Sequence, residues 1–156
     1  MHVVVGYPDH GEELKILELD ERLEMQSNET KKAPAPVIKQ DDVFAVRTEI
    51  LDMYLDEKLK HYTVSLVSAT RQPEKYSDKL AEWLQFGASP RATLGIVHAA
   101  KALAYLQGDS YVSPHHIQEV APNILRHRII PTFEAEAEGV TRDQIIEHLM
   151  EVVAVS

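Results

Sequence analysis

The chain has 156 residues, a formal net charge of −9 and no cysteine. That length suits one ordinary domain, or one domain with an arm attached, and it can bury a core without covalent staples. The composition excludes disulfides and cysteine-based metal or redox sites and suits a reducing cytoplasm; the acidic balance disfavours nonspecific binding to nucleic acid, and no apolar run is long enough to span a membrane.

Met1 to Val5 lacks the basic region and apolar stretch of a signal peptide. His2-Val3-Val4-Val5 reads instead as a short buried strand, ended by Gly6-Tyr7-Pro8. Nothing else in the chain reads convincingly as strand, and a lone strand cannot satisfy its own backbone. It is therefore expected to be an orphan, the tail of a sheet lying in upstream sequence, with a disordered or packed terminus as the alternative.

Asp9 or His10 opens a first helix, with Leu14, Leu17 (or Ile16) and Leu23 as its apolar stripe, fading by Met25. Residues 26–40, with Ala33-Pro34-Ala35-Pro36, read as a linker or surface loop. Asp41 or Asp42 then caps a helix carrying Val43, Val46, Ile50 and Met53. Asp56 caps the next, on which Leu59, Tyr62, Leu66 and Ala69 recur at helical spacing. Tyr62 to Ser68 also alternates like a strand, but the longer 3.6-residue period decides for helix.

Gln72 to Gly87 is mixed, with Trp83, Leu84 and Phe86 able to pin it to a core. From Pro90 to about Gln107 runs a helix apolar on nearly every side, the mark of a central element; Gly108-Asp109 ends it. Ser113-Pro114 starts another, in which Pro122 must produce a kink or a split. Thr141-Arg142-Asp143-Gln144 is a capping box for the last helix, lined by Ile145, Leu149 and Val152. Between Thr132 and Ser156 acids outnumber the single Arg142, a run that reads as solvated helix faces. The expected fold is an all-α bundle of about six or seven helices.

No phosphate-cradling glycine loop, paired-acid magnesium site or glycine-flanked nucleophilic serine is present in the sequence. His115 and His116 are adjacent, so on a helix they point about 100° apart and cannot share one metal; no metal site is expected. Arg126-His127-Arg128 closes a helix, where the dipole favours positive charge; a basic contact to a neighbouring domain or subunit is the alternative.

The oddest feature is Ser89-Pro90-Arg91. Ser89 is a preferred N-cap and Pro90 is pre-set for the first helical position, but Arg91 puts a cation where the helix is already positive. That costs roughly 0.3–1 kcal/mol unless an anion sits opposite. A phosphate and a salt bridge to a nearby acid both answer the need.

Taken in order, Gly87-Ala88-Ser89-Pro90-Arg91-Ala92, Ala99 to Ala104, Tyr111-Val112-Ser113-Pro114, Leu125 to Arg128 and Glu134 to Thr141 closely resemble the C-terminal lid of MoxR-family AAA+ ATPases. Gly6-Tyr7-Pro8 resembles the point where that family's last core strand leaves for the lid. The resemblance implies an AAA+ lid-type helical bundle over residues 9–156, with residues 1–8 the tail of an α/β core. It implies that Arg91 is the sensor 2 arginine reaching the ATP phosphates, with Ser89 and Pro90 fixing the helix start that aims it. In the intact protein it implies ATP and Mg as cofactors, ATP hydrolysis, a ring with neighbouring subunits (hexameric in many AAA+ proteins), and chaperone-like remodelling of partners, von Willebrand factor A-type proteins among them.

Walker A, Walker B, sensor 1 and the arginine finger are absent from this sequence, so the chain alone is expected to be inactive. His115 and His116 stand where the family tends to have acids, which weakens the expected local cap. No role for Arg126, His127 or Arg128 carries over. The rival reading is a stand-alone helical protein-interaction module; helix-turn-helix DNA binding through Arg126 and Arg128 is disfavoured by the net charge.

Overall fold

The computed structural model describes residues 1–25 and 35–155. It divides into two compact units, Val3–Val43 and Met1–His2 with Phe44–Ser156.

In the smaller unit, α1 (His10–Met25) is opened by a reciprocal cap: the Glu12 N–H donates to Asp9 Oδ1 at 2.9 Å and the Asp9 N–H to Glu12 Oε2 at 3.1 Å. The apolar stripe of Leu14, Leu17 and Leu23 forms, but no α1 residue is buried. Of the linker expected over residues 26–40, residues 26–34 lie outside the described residues, and Gln40 already belongs to α2 (Gln40–Asp52). The cap expected at Asp41 or Asp42 lies earlier, at Lys39. Its N–H donates to Asp42 Oδ2 at 2.8 Å, so Asp42 supplies the third-position half of the cap. The boundary between the units falls within α2, between Val43 and Phe44.

The strand expected at His2–Val5 does not form. The His2 N–H donates to the Asn123 carbonyl at 2.7 Å and the Arg126 guanidinium to the His2 carbonyl at 3.1 Å, while Val3 to Val5 are exposed. A strand is a ladder, and among the described residues no second strand pairs with this one.

The larger unit carries the core. Asp56 caps α3 (Glu57–Arg71), its Oδ1 accepting from the Lys58 N–H at 2.9 Å, and Leu59, Tyr62, Leu66 and Ala69 are buried as their spacing predicts. A 3₁₀ turn (Pro73–Lys75) and the short α4 (Asp78–Trp83) follow. Then comes β1 (Leu84–Phe86), which leads to α5 (Pro90–Gln107). Along α5 every fourth residue, Ala92, Ile96, Ala100 and Ala104, is fully buried, and the small side chains let α6 (Pro114–Leu125) pack closely against it. Contrary to the expectation of a central helix, α5 is not buried all round: Leu94 and Leu106 are exposed, so it buries one face. Gly108, at φ 80°, ends it in the left-handed conformation that glycine adopts without Cβ strain.

Pro122 does not split α6, which runs through it to Leu125. The proline forfeits its one N–H bond, but its carbonyl accepts the Arg126 N–H at 3.0 Å, and Ile124 and Leu125 beyond it are buried. After α6, β2 (Ile130–Pro131) pairs antiparallel with β1, a strand pair the sequence did not announce. Thr132 extends the join: its N–H donates to the Trp83 carbonyl at 2.9 Å and its hydroxyl to the Glu82 carbonyl at 2.7 Å. Thr132 also caps α7 (Phe133–Ala137). The Thr141–Gln144 capping box opens α8 (Arg142–Val152), burying Ile145, Ile146 and Leu149. Eight α-helices thus form among the described residues; α4 and α7 are the short ones that periodicity cannot detect.

Candidate functional site

At the start of α5, Ser89 adopts the extended N-cap conformation (φ −72°, ψ 166°) and Pro90 occupies the first helical position. The Ser89 hydroxyl makes no capping hydrogen bond, contrary to expectation; the first turn closes through the Ala92 N–H donating to the Ser89 carbonyl at 2.9 Å. No acid stands in the first turn. Arg91 is exposed, and among the described residues its guanidinium takes part in no ion pair or hydrogen bond. The positive charge at the positive end of this 18-residue helix is therefore uncompensated.

Arg91, Leu94 and His98 follow one another along the exposed side of α5, at the spacing that puts residues on one helix face. The far half of this side is covered by α2. Lys101 Nζ donates to the Leu51 carbonyl at 2.6 Å and the Tyr105 hydroxyl to Glu49 Oε2 at 2.7 Å, which raises the Tyr105 pKa, chiefly through that hydrogen bond. The near half borders an open groove of about 570 Å³ walled by Met53, Tyr54, Thr93, Leu94 and Val97.

What aims the helix start is the end of α3, which sequence reasoning missed. Thr70 is buried; its hydroxyl donates to the Val67 carbonyl at 2.7 Å and accepts from the Ala88 N–H at 2.9 Å. The Arg71 guanidinium donates to the Ala88 carbonyl at 2.8 Å. Gly87 lies so close that a Cβ on it would sit 2.1 Å from the Thr70 carbonyl oxygen. The only sequence signal was a glycine two residues before a cap, and its partner lies 17 positions away.

Two of the histidines, His116 and His148, have structural roles. His116 is buried and fills the place of the expected acid: its Nδ1 accepts the Ser113 N–H at 2.9 Å, completing a capping box for α6. That bond requires the proton on Nε2, which faces Gln107 Oε1 at 2.9 Å and Asp109 Oδ2 at 3.0 Å. The weakened cap expected from the missing acid is thus made good by imidazole. His148 accepts from the Ser77 hydroxyl at 3.1 Å and donates to Glu151 Oε2 at 3.1 Å, joining α8 to the start of α4. Among the described residues no cluster of His, Cys, Asp or Glu could hold a metal.

Arg126 is a tie within the larger unit's own fold. It bonds Asp143 in the first turn of α8, with Nε to Oδ1 at 2.8 Å, as well as Asn123 Oδ1 and the His2 carbonyl at 3.1 Å each. Arg128 donates to the Ile124 carbonyl at the end of α6. His127 is exposed between them; partial desolvation of its ring, then the Arg128 charge, hold its pKa below the usual imidazole value.

The AAA lid domain family matches residues 80–149, from within α4 to within α8. Over 151 residues the chain is 34% identical to the chaperone MoxR1 of Mycobacterium tuberculosis, covering 96% of this chain and 38% of that protein. The chain carries an AAA lid domain over residues 80–149 and is homologous to MoxR-family chaperones over nearly its whole length. Protein YeaC of Bacillus subtilis is 33% identical over 151 residues, covering 97% of this chain and 43% of that protein. A crystal structure of a Cytophaga hutchinsonii protein described as an ATPase superposes on the lid with a TM-score of 0.84 at 37% identity, covering 97% of this chain and 45% of that one. The lid chain thus spans less than half the length of the relatives it matches. Gly87 to Arg91 fall inside the segment matched by the lid family.

Proposed function

We propose that this MoxR-type lid is the nucleotide-responsive part of an AAA+ ATPase and that Arg91 is its sensor 2 arginine. The observation that supports it best is the exposed guanidinium at the open end of α5, unpaired among the described residues, in a first turn without acid. A γ-phosphate would supply the anion this helix start lacks, and the planar guanidinium can hold two phosphate oxygens at once. A donor held on a rigid helix stabilises charge on a transferring phosphoryl group without reorganising during the step. ATP with its magnesium ion supplies the phosphoryl group when bound. Arg91 grips it and transmits its presence to the lid, while Pro90 and the cap position of Ser89 hold the helix start that carries the grip.

Residues 1–8 are, on this view, the tail of an α/β core and residues 9–156 the lid. The lid chain contains no phosphate-cradling loop and does not turn over ATP by itself. The intact protein acts in a ring, with six subunits as the AAA+ pattern, and remodels partner proteins, with von Willebrand factor A-type proteins the partner class that the resemblance suggests.

The test is Arg91→Ala and Arg91→Lys in the intact ATPase-containing protein. Loss of the guanidinium is expected to lower kcat for ATP by roughly 10²-fold, the usual effect of removing one preorganised donor, with lysine restoring only part of it. Wild-type turnover in Arg91→Ala would overturn the sensor assignment and favour an interaction module without a nucleotide role.

A further inference from the structure

Thr70 is one of three buried polar residues among those described. A hydroxyl has one proton, and Thr70 commits it to the Val67 carbonyl, so the oxygen lone pair is aimed at the Ala88 N–H. The next residue, Arg71, takes the Ala88 carbonyl. Both backbone polar groups of the buried Ala88 are therefore claimed by consecutive residues at the end of α3. The backbone at Gly87 rests against the Thr70 carbonyl in a gap that only glycine leaves open. The ordinary device for fixing a helix start, a side-chain cap from Ser89, is not engaged.

From Ala88 to Arg91 the chain has little freedom. Pro90 has a fixed φ, and the Ala92–Ser89 hydrogen bond closes the turn around it. A shift of Ala88 relative to α3 must therefore carry Arg91 with it. We infer that Thr70 and Arg71 are positioning residues: they latch the backbone at Ala88 to α3 and so set where the Arg91 guanidinium is presented. The inference rests on the sensor reading of Arg91 and adds what aims it. The latch places the aiming function outside the segment matched by the lid family, on the helix that precedes it.

The experiment measures kcat and KM for ATP in the intact protein carrying Thr70→Val, Thr70→Ser, Arg71→Ala, and Thr70→Val with Arg91→Ala. Valine keeps the shape of threonine and leaves the Ala88 N–H without an acceptor; serine keeps the hydroxyl. Thr70→Val is expected to lower kcat by on the order of 10- to 100-fold, as misplacement of a reacting contact does, with KM changed less. Thr70→Ser should stay near wild type, and Arg71→Ala should fall between. The decisive sign is that Thr70→Val adds no further loss to Arg91→Ala.

Multiplying losses in the double variant, or equal losses in the valine and serine variants, would overturn the latch while leaving Arg91 as sensor. Wild-type turnover in Thr70→Val beside an impaired Arg91→Ala would do the same. An unimpaired Arg91→Ala would remove the sensor reading and the latch together. If valine prevents folding, the same comparison with Arg91→Ala is made with Arg71→Ala, whose side chain is exposed and whose one bond goes to Ala88.

Discussion

Replacing Gly87 by alanine tests the close approach of α3 to the start of α5 with a single methyl group. The new Cβ would meet three backbone atoms, the Thr70 carbonyl oxygen at 2.1 Å, its carbon at 2.4 Å and the Arg71 nitrogen at 2.7 Å. No side chain can swing aside, so the two segments must part by roughly 1 Å to restore van der Waals contact. The Ala88 N–H to Thr70 bond at 2.9 Å and the Arg71 to Ala88 bond at 2.8 Å then stretch past hydrogen-bonding distance. An orphaned buried donor costs about 1–3 kcal/mol and overpacking a tight contact a similar amount, so the loss should be about 2–5 kcal/mol. For a chain of this size that lowers Tm by about 5–15 °C. The assay is thermal unfolding of the 156-residue chain followed by circular dichroism at 222 nm, with Gly95→Ala as control. At Gly95 a Cβ meets only side-chain methyls of Ile124, Cγ2 at 3.3 Å and Cδ1 at 3.7 Å, and alanine gains up to about 1 kcal/mol of helix propensity. Gly95→Ala should melt within a few degrees of wild type. A Gly87→Ala chain melting within about 2 °C of wild type would refute the reasoning, because no contact this short can be relieved so cheaply.

His116→Ala removes the α6 cap and leaves the Ser113 N–H without its acceptor; a loss of about 1.5–3 kcal/mol is expected from urea unfolding. Arg126→Ala should cost about 1–2 kcal/mol, and adding Asp143→Ala should cost little more, since the pair acts as one tie between α6 and α8; additive losses in the double-mutant cycle would contradict this. His127 has a folded-state pKa below the ordinary imidazole value, so the unfolded chain binds the proton more tightly. Its contribution to stability is therefore present above about pH 6.5 and lost as pH falls through the lowered value. Because His127 is exposed the effect is small, and His127→Gln should flatten the difference between urea midpoints measured at pH 5.5 and 7.5.

The helices α3, α5, α6 and α8 were legible because their signals are local: a cap, a proline in the first turn, and apolar residues one turn apart. Arg91 stood out for the same reason, since the conflict between its charge and the helix dipole lies within one turn. Contacts made across the chain left no such trace. The β1–β2 pair is a few residues long and ends on Pro131, which no alternation pattern can reveal. The Thr70–Ala88 bond joins residues 18 apart, and Thr70 looked like any polar residue on a helix. At α1 periodicity identified the apolar side correctly, but periodicity cannot supply a surface to bury it, and Leu14, Leu17 and Leu23 remain exposed. His116 misled by residue type: a weakened cap was expected where the resembled family tends to have acids, yet an imidazole nitrogen accepts the Ser113 N–H.

The four-residue repeat of Ala92, Ile96, Ala100 and Ala104 makes α5 a stiff lever. Its 18 residues span about 27 Å, and the close seam against α6 leaves no slack for bending along its length. A tilt of about 5° at one end reappears as a displacement of roughly 2 Å at the other. The two ends carry very different groups, the open Arg91 at one and the Tyr105–Glu49 contact with α2 at the other. Any tilt at the Arg91 end would thus be delivered, magnified by leverage, to the hydroxyl of a tyrosine near the far end of the same helix.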